Sequence, residues 1–401
     1  MDGWTDYRTA RPAKFDRTAV PPLPSSSTVR LTPDESGALL EAALVCTENP
    51  YLSEQREDFI RTARVAGKIC FSTATRQAAQ EILDRGFGAL LLEDLPVDPV
   101  LPPTPSAGGA LDPHYKSTFV SEFVSVALGV LVDAEIFNFR QEGRGSAPLF
   151  DNVVPINSLR LQRGAGGYAN NFPFHCDSTW HRMRSDYLAL VGIRPDPNAL
   201  TMACSVVDIA DTDLIDGMPL ESFRLKPPDL YTQMEAQGIP LGAPHYRLMN
   251  PIEIDATAMN VNFNGTDCRG PVATEWLSHF EDVVEEKAVG CILSRGNGLL
   301  LNNRRVCHTR TGYAPNFGAE ARWFVRSNFK RGLWDQPFND GSAADLQNLK
   351  ELGWVDATGR LTDQFLPFVE DPMRLVGLPQ KSRELAAKAF CYTPVLGSRI
   401  V

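Results

Sequence analysis

Apolar residues follow two rhythms along this chain. Before about residue 95 they recur at helical spacing. Thr32-Pro33-Asp34-Glu35 opens a helix with a hydroxyl cap, a proline in the first turn and acids at the positive end of the dipole. That helix runs to about Cys46, a second covers Ser53 to Ala66, and a third spans Thr73 to Arg85, where Gly86 ends it. Gly88 to Leu92 reads as a short buried strand, and residues 97–112, rich in proline with Gly108-Gly109, as a loop. Tyr115 to Val132 is apolar enough for a central buried helix; the longest apolar run, about Val120 to Phe139, is broken by Glu122 and Asp133 and is not a membrane span. From about Asn152 the rhythm changes. Short runs rich in β-formers alternate with turns: Val153 to Leu161, Tyr187 to Ile193, Thr201 to Val207, Ala258 to Phe263, Gly298 to Asn302 and Arg322 to Phe329. This spacing predicts a β sandwich or barrel.

The remaining segments frame that core. Residues 1–30, rich in Pro, Ser, Arg and Thr without a period, predict an extended, flexible arm. Residues 31–401 form one domain with the β core at about 150–335. Within it, 209–256 reads as an insertion at a site mouth, helical near Asp211 to Leu225 and then proline-rich. A helical extension covers 343–401. A chain of 401 residues has room for two domains by length alone, and one large β domain with helical additions is equally allowed.

A net charge of −10 and an isoelectric point near 5.2 argue against a nucleic-acid partner, which a basic surplus would mark. The eight cysteines are widely spaced with no Cys-x-x-Cys pair, which argues against a structural zinc site and for reduced thiols in the cytoplasm. The start, Met1-Asp2-Gly3-Trp4-Thr5-Asp6, lacks the basic and apolar regions of a signal peptide, and no run is long enough to span a bilayer.

Against this ordinary background stand His175-Cys176-Asp177 and, far downstream, His308. Two imidazoles and one carboxylate are the ligand set of a facial triad on iron(II), which leaves three coordination positions open and so suits oxidative chemistry. A lone His-x-Asp also arises by chance in capped surface loops. Three features add weight here. Phe172-Pro173-Phe174 brings apolar residues to the site. Alternation along an extended strand puts His175 and Asp177 on one face. His308 follows an apolar strand and a polar turn. Two histidines and one carboxylate also suit a hydrolytic zinc site, but that reading leaves Arg322 and Arg326 without a role. His181 reads as a site-mouth or surface residue, and His114, His245 and His279 as ordinary loop or helix positions.

The run Asn302-Asn303-Arg304-Arg305-Val306-Cys307-His308-Thr309-Arg310-Thr311, followed by Arg322-Trp323-Phe324-Val325-Arg326, resembles the clavaminate synthase-like branch of the TauD/TfdA Fe(II)/2-oxoglutarate-dependent oxygenases. His175-Cys176-Asp177, Leu149-Phe150-Asp151-Asn152-Val153-Val154-Pro155 and Ser185-Asp186-Tyr187-Leu188-Ala189-Leu190 are similar to that family's blocks too, so the likeness covers about residues 120–335. It implies an α+β protein: a double-stranded β-helix (jelly-roll, cupin-like) core with flanking N-terminal helices and a helical insertion. It implies Fe(II), 2-oxoglutarate and O2 as cofactor and cosubstrates. The metal ligands would be His175, Asp177 and His308. Arg322, with Thr201, would hold 2-oxoglutarate, since a guanidinium offers a carboxylate two parallel hydrogen bonds. Arg326 would help bind a substrate carboxylate.

The resemblance points to a free amino acid or a small derivative as substrate, with C–H hydroxylation, desaturation or ring formation as outcome. Halogenation is disfavoured, because Asp177 stands where a halogenase needs a small residue. Where arginine-acting members carry acids, this chain has Asn260-Val261-Asn262-Phe263-Asn264, whose alternate amides predict a row on one face. Amides cannot neutralise a cation, so Asn260, Asn262 and Asn264 favour a neutral side chain, while Asp151 and Asp177 remain to receive an ammonium group. The same chemistry on a sulfonate or other small carboxylate is one alternative; a non-catalytic metal- or ligand-binding β-barrel protein is another.

Overall fold

The computed structural model describes residues 3–10, 20–138, 148–163, 166–179, 184–210, 213–226, 247–332 and 343–354, with short stretches between 362 and 385. His181, His245 and, within the 209–256 insertion, residues 211–212 and 227–246 lie outside the described residues.

The strands gather in three antiparallel sheets, with one parallel pair at an edge. The major sheet runs in the order Thr28–Arg30, Ala89–Glu93, Gly298–Asn302, Tyr187–Arg194, Trp323–Lys330 and Glu135–Phe137, and Asp151–Val153 also pairs with Trp323–Lys330. Its central strands are buried on both faces, which explains why their sequences are continuous apolar runs rather than alternating ones. A minor sheet orders Val289–Ile292, Leu200–Ser205 and Val306–Arg310. A third sheet joins Trp4–Asp6, Thr266–Arg269, Phe223–Leu225 and Arg247–Leu248. The result is a mixed helix-and-sheet architecture.

The N-terminal helices cover one face of the major sheet. Thr32 caps the Pro33–Val45 helix in a reciprocal capping box with Glu35. The fully buried Val120–Leu128 helix packs against Ser53–Cys70 and the major sheet, and Phe59, Phe123, Phe150 and Trp323 share that core. A second core lies between the minor sheet and the Gly270–Lys287 helix, through Met202, Phe263, Leu277 and Phe280.

Several sequence expectations change. The Thr73-to-Arg85 helix is α only over Thr73–Gln80 and widens to a π turn over Glu81–Arg85. Asp211 to Leu225 is not helical where described: turns lead into the strand Phe223–Leu225, because Gly217 and Pro219 interrupt the helical spacing. Val153 to Leu161 gives only Asp151–Val153 and a single helical turn at Asn157–Leu159, since Pro155 cannot donate to a ladder. Within the arm, Trp4–Asp6 pairs with Asp267–Arg269, and the buried Tyr7 hydroxyl donates to Glu281 at 2.6 Å.

Candidate active site

The extended segment Phe172–Cys176 lies between two others. Its His175 exchanges both backbone hydrogen bonds with His308 (3.0 and 2.8 Å), Phe172 N donates to Arg310 O, and on the other side Cys176 N donates to Val261 O. His308 in turn stands opposite Ala203 of the minor sheet. The two imidazoles therefore hang from directly opposed backbone positions, with ring centroids 4.4 Å apart. Asp177 follows at a turn, and Asn303 pins that turn: its Oδ1 accepts from Asp177 N at 2.7 Å, and its amide donates to Asp177 O and Ser185 O, each at 2.9 Å.

Asp177 Oδ1 lies 3.2 Å from His175 Nε2 and 3.7 Å from His308 Nε2. The three ligand atoms all fall within 4.8 Å of one another. His175 Nδ1 lies 3.0 Å from Pro173 O; donating its proton there leaves Nε2 as the lone-pair atom toward the cluster. Burial pushes the His308 imidazole down to about 3, helped by His175, so it is neutral as a ligand must be. Burial alone would raise the Asp177 carboxyl, but Arg326 and the two histidines hold it well below the ordinary carboxylate range. Two imidazoles and one carboxylate converging in a buried pocket fit a divalent first-row ion.

Beside this cluster opens a cavity of about 450 Å³, open solvent included, lined by Phe172, Thr201, Arg310, Arg322, Phe324 and Arg326 together with the two histidines. The register shifts between Trp323 and Phe324, yet Arg322, Phe324 and Arg326 all reach the cavity while Trp323 packs in the opposite core. Arg322 is 5% exposed and stacks 4.4 Å from the Phe324 ring centroid. Among the described residues it has no ion-pair partner, and burial lowers its affinity for its proton. Arg326 reaches Asp151 at 2.8 Å and Asp177 at 3.4 Å; burial opposes its charge, and the two carboxylates more than restore it.

Asn303, Arg310 and Tyr313 had no assigned role from sequence, and Phe172 was read only as part of an apolar approach to the site. Phe172 stacks on His175 at 4.2 Å between centroids. Arg310 is two residues beyond His308 on one strand, so alternation alone puts both on one face. The expected row of asparagines does not form. Asn260 is consumed by Asn250 O, Glu253 and Arg184. Asn264 is exposed in a turn, as Asn-Gly favours. Only Asn262 stays beside the site, bridged to His175, with its side-chain oxygen accepting from Gly265 N. His114 and His279 are exposed and remote from the cluster in the fold.

No protein-family profile matches the chain. It is 27% identical over 286 residues to the L-asparagine oxygenase of Streptomyces coelicolor, covering 67% of this chain and 79% of that protein. It is 23% identical over 207 residues to the enduracididine beta-hydroxylase of Streptomyces hygroscopicus, covering 46% and 60%. Among solved structures, asparagine oxygenase in complex with Fe(II), 2S,3S-3-hydroxyasparagine and succinate superposes with a TM-score of 0.65 at 22% identity, covering 77% of this chain and 95% of that one.

Proposed function

We infer that this chain is an Fe(II)/2-oxoglutarate-dependent oxygenase of the clavaminate synthase-like branch, acting on a free amino acid or small amino-acid derivative in specialised metabolism. One observation carries the reading: two histidines and a carboxylate converge on the wall of a cavity that also holds a buried arginine with no ion-pair partner among the described residues. The relatives support the substrate class, since by their names they act on L-asparagine and on enduracididine. The cupin-like jelly-roll core is shared with the solved oxygenase, and the flanking N-terminal helices and the 209–256 insertion complete the proposed domain. The seven described cysteines are unpaired thiols, which supports the cytoplasm as location. No helix among the described residues is long and apolar enough to cross a membrane.

His175, Asp177 and His308 would hold the iron. When bound, iron(II) with 2-oxoglutarate and dioxygen supplies the oxidising power for C–H hydroxylation, leaving succinate and CO2. Arg322 would grip the distal carboxylate of 2-oxoglutarate through two parallel hydrogen bonds, with Thr201 as a further donor. Arg326 would orient the substrate through its carboxylate, and Asp151 beside it would receive the ammonium, so that the pair reads both charges of an amino acid. Asn262 would meet the side chain. Phe172 and Phe324 keep water from the reacting region. A sulfonate without an amino group would satisfy Arg326 but bring no ammonium to Asp151.

The test is succinate release on incubation with Fe(II), 2-oxoglutarate, ascorbate and pooled amino acids, with product mass read in parallel. We expect amino-acid-dependent succinate, lost in His308→Ala and Asp177→Ala. Arg322→Met should raise the 2-oxoglutarate requirement by on the order of tenfold or more, the scale of losing a charge-assisted hydrogen bond. No amino-acid-dependent succinate above the uncoupled background would sink the reading.

A further inference from the structure

The Arg322 end of the cavity holds a second guanidinium. Arg310 is 7% exposed and lines the same cavity. It stands opposite Thr201 in the minor sheet. Both guanidiniums lie over one aromatic ring: Arg310 Cζ is 5.3 Å and Arg322 Cζ 5.8 Å from the Tyr313 centroid. Arg310 is held rigidly, donating to Gly167 O at 2.7 Å, Thr311 O at 2.7 Å and Tyr168 O at 3.5 Å. Carbonyls orient a cation without neutralising it. Among the described residues Arg310 has no ion-pair partner, and it shares this end of the cavity with the charge of Arg322. Among the described residues, the carboxylate whose charge acts on this end is Asp196, felt by Arg322 and Tyr313. Two guanidiniums against one carboxylate leave one positive charge unmatched. Without Arg310, Arg322 and Asp196 would already balance.

We propose that Arg310 is a cosubstrate-selecting residue: its buried charge makes this end of the cavity bind a second carboxylate group, so that the site takes dicarboxylic 2-oxo acids and also retains the succinate left after turnover. This rests on the oxygenase reading above. Arg322 supplies the direct grip, and Arg310 supplies the surplus charge that makes a distal carboxylate worth desolvating. Tyr313, whose ring both guanidiniums lie over, is a neutral phenol and cancels neither charge.

The measurement is calorimetric titration of the metal-free full-length protein with succinate and with butyrate, which has nearly the same length and one carboxylate fewer. Wild type should prefer succinate. Arg310→Gln removes the charge while its amide still donates to the surrounding carbonyls. It should weaken succinate by on the order of tenfold and leave butyrate within about twofold. Arg310→Lys should restore most of the succinate affinity. Asp196→Asn, which keeps the acceptor for the Asn198 backbone amide, should tighten succinate several-fold, and it decides the matter if the Gln variant fails to fold. Equal succinate affinity in wild type and Arg310→Gln, or no gain in Asp196→Asn, overturns the proposal. Failure of the oxygenase reading looks different: amino-acid-dependent succinate release would be missing while Arg310-dependent succinate binding persisted.

Discussion

Asn303 joins two parts of the site that sequence separates widely. With one side chain it closes both backbone groups of Asp177 and anchors Ser185. It is 1% exposed, so water cannot replace it. Asn303→Ala leaves a buried N–H and two carbonyls without partners, at about 1–3 kcal/mol for each unsatisfied group. We expect a drop of several kcal/mol in urea-denaturation stability and weaker metal binding, since the turn that aims Asp177 loses its brace. Asn303→Asp can still accept from Asp177 N but cannot donate to the two carbonyls, and should also be impaired. The metal-type triad was legible from sequence because alternation and residue type suffice to suggest it. Asn303 and Arg310 were visible as letters but not as roles, since their partners come from loops whose approach no local pattern encodes. The asparagine row misled because Asn264-Gly265 carries two messages, alternation and turn, and the turn prevails.

At the scale of elements, caps and long apolar runs translated directly. Thr32 to Glu35 is a helix start in sequence and in structure, and Gly298–Asn302 has the expected bounds. The Gly270–Lys287 helix went unread, although Pro271 in its first turn and apolar residues at Ala273, Leu277, Phe280 and Val284 mark it. Ala258 to Phe263 looked like a strand but makes only isolated bridges, because each of its neighbours is itself irregular. The first cap also carries a pH signature. Glu35 accepts from Thr32 N, Ser72 N and the Thr75 hydroxyl, so it ties the first helix to the Ser72 cap of the third. Burial opposes its charge, but these bonds prevail and draw it down to about 2. The folded state therefore holds the proton less tightly than the unfolded chain. Its contribution is fully present above the ordinary glutamate value and is lost as pH falls toward about 2. Thermal melts of wild type and Glu35→Gln should differ most near neutrality and converge in acid. A gap that widened on acidification would refute the assignment.

On the scale of the whole molecule, a buried polar chain stitches the helical layer to the sheet that carries the site. Asp98 accepts from Lys116 at 2.9 Å, and Lys116 donates to Glu122 at 2.7 Å. Tyr51 donates to Glu122, Asn152 to Tyr51, and the Trp323 indole to Asn152, all within 2.8–3.0 Å. The chain ends on the direct neighbours of Asp151 and Arg322. All three charged side chains in it are fully buried. Lys116→Met strands two carboxylates away from water, and removal of one partner from such a cluster costs about 3–5 kcal/mol. Chemical denaturation should report a loss of that size, while a triple replacement of Asp98, Lys116 and Glu122 by apolar residues of similar volume should recover much of it. This network was invisible in sequence: Asp98 sits in the proline-rich loop, Lys116 and Glu122 in the apolar Tyr115-to-Val132 run, and no local pattern pairs them.

The directly opposed pairing of His175 with His308 has a consequence beyond catalysis. A ladder rung sets the spacing of the two imidazoles before any ion arrives, so the cradle is indifferent to which small divalent cation fills it. Affinity for such nitrogen and oxygen donors rises from manganese through iron to copper, with zinc also above iron. A ready-made cradle of this kind is therefore a poor judge of metals. Occupancy by iron would depend on which ions its surroundings supply, and on the chemistry that only one of them could then perform.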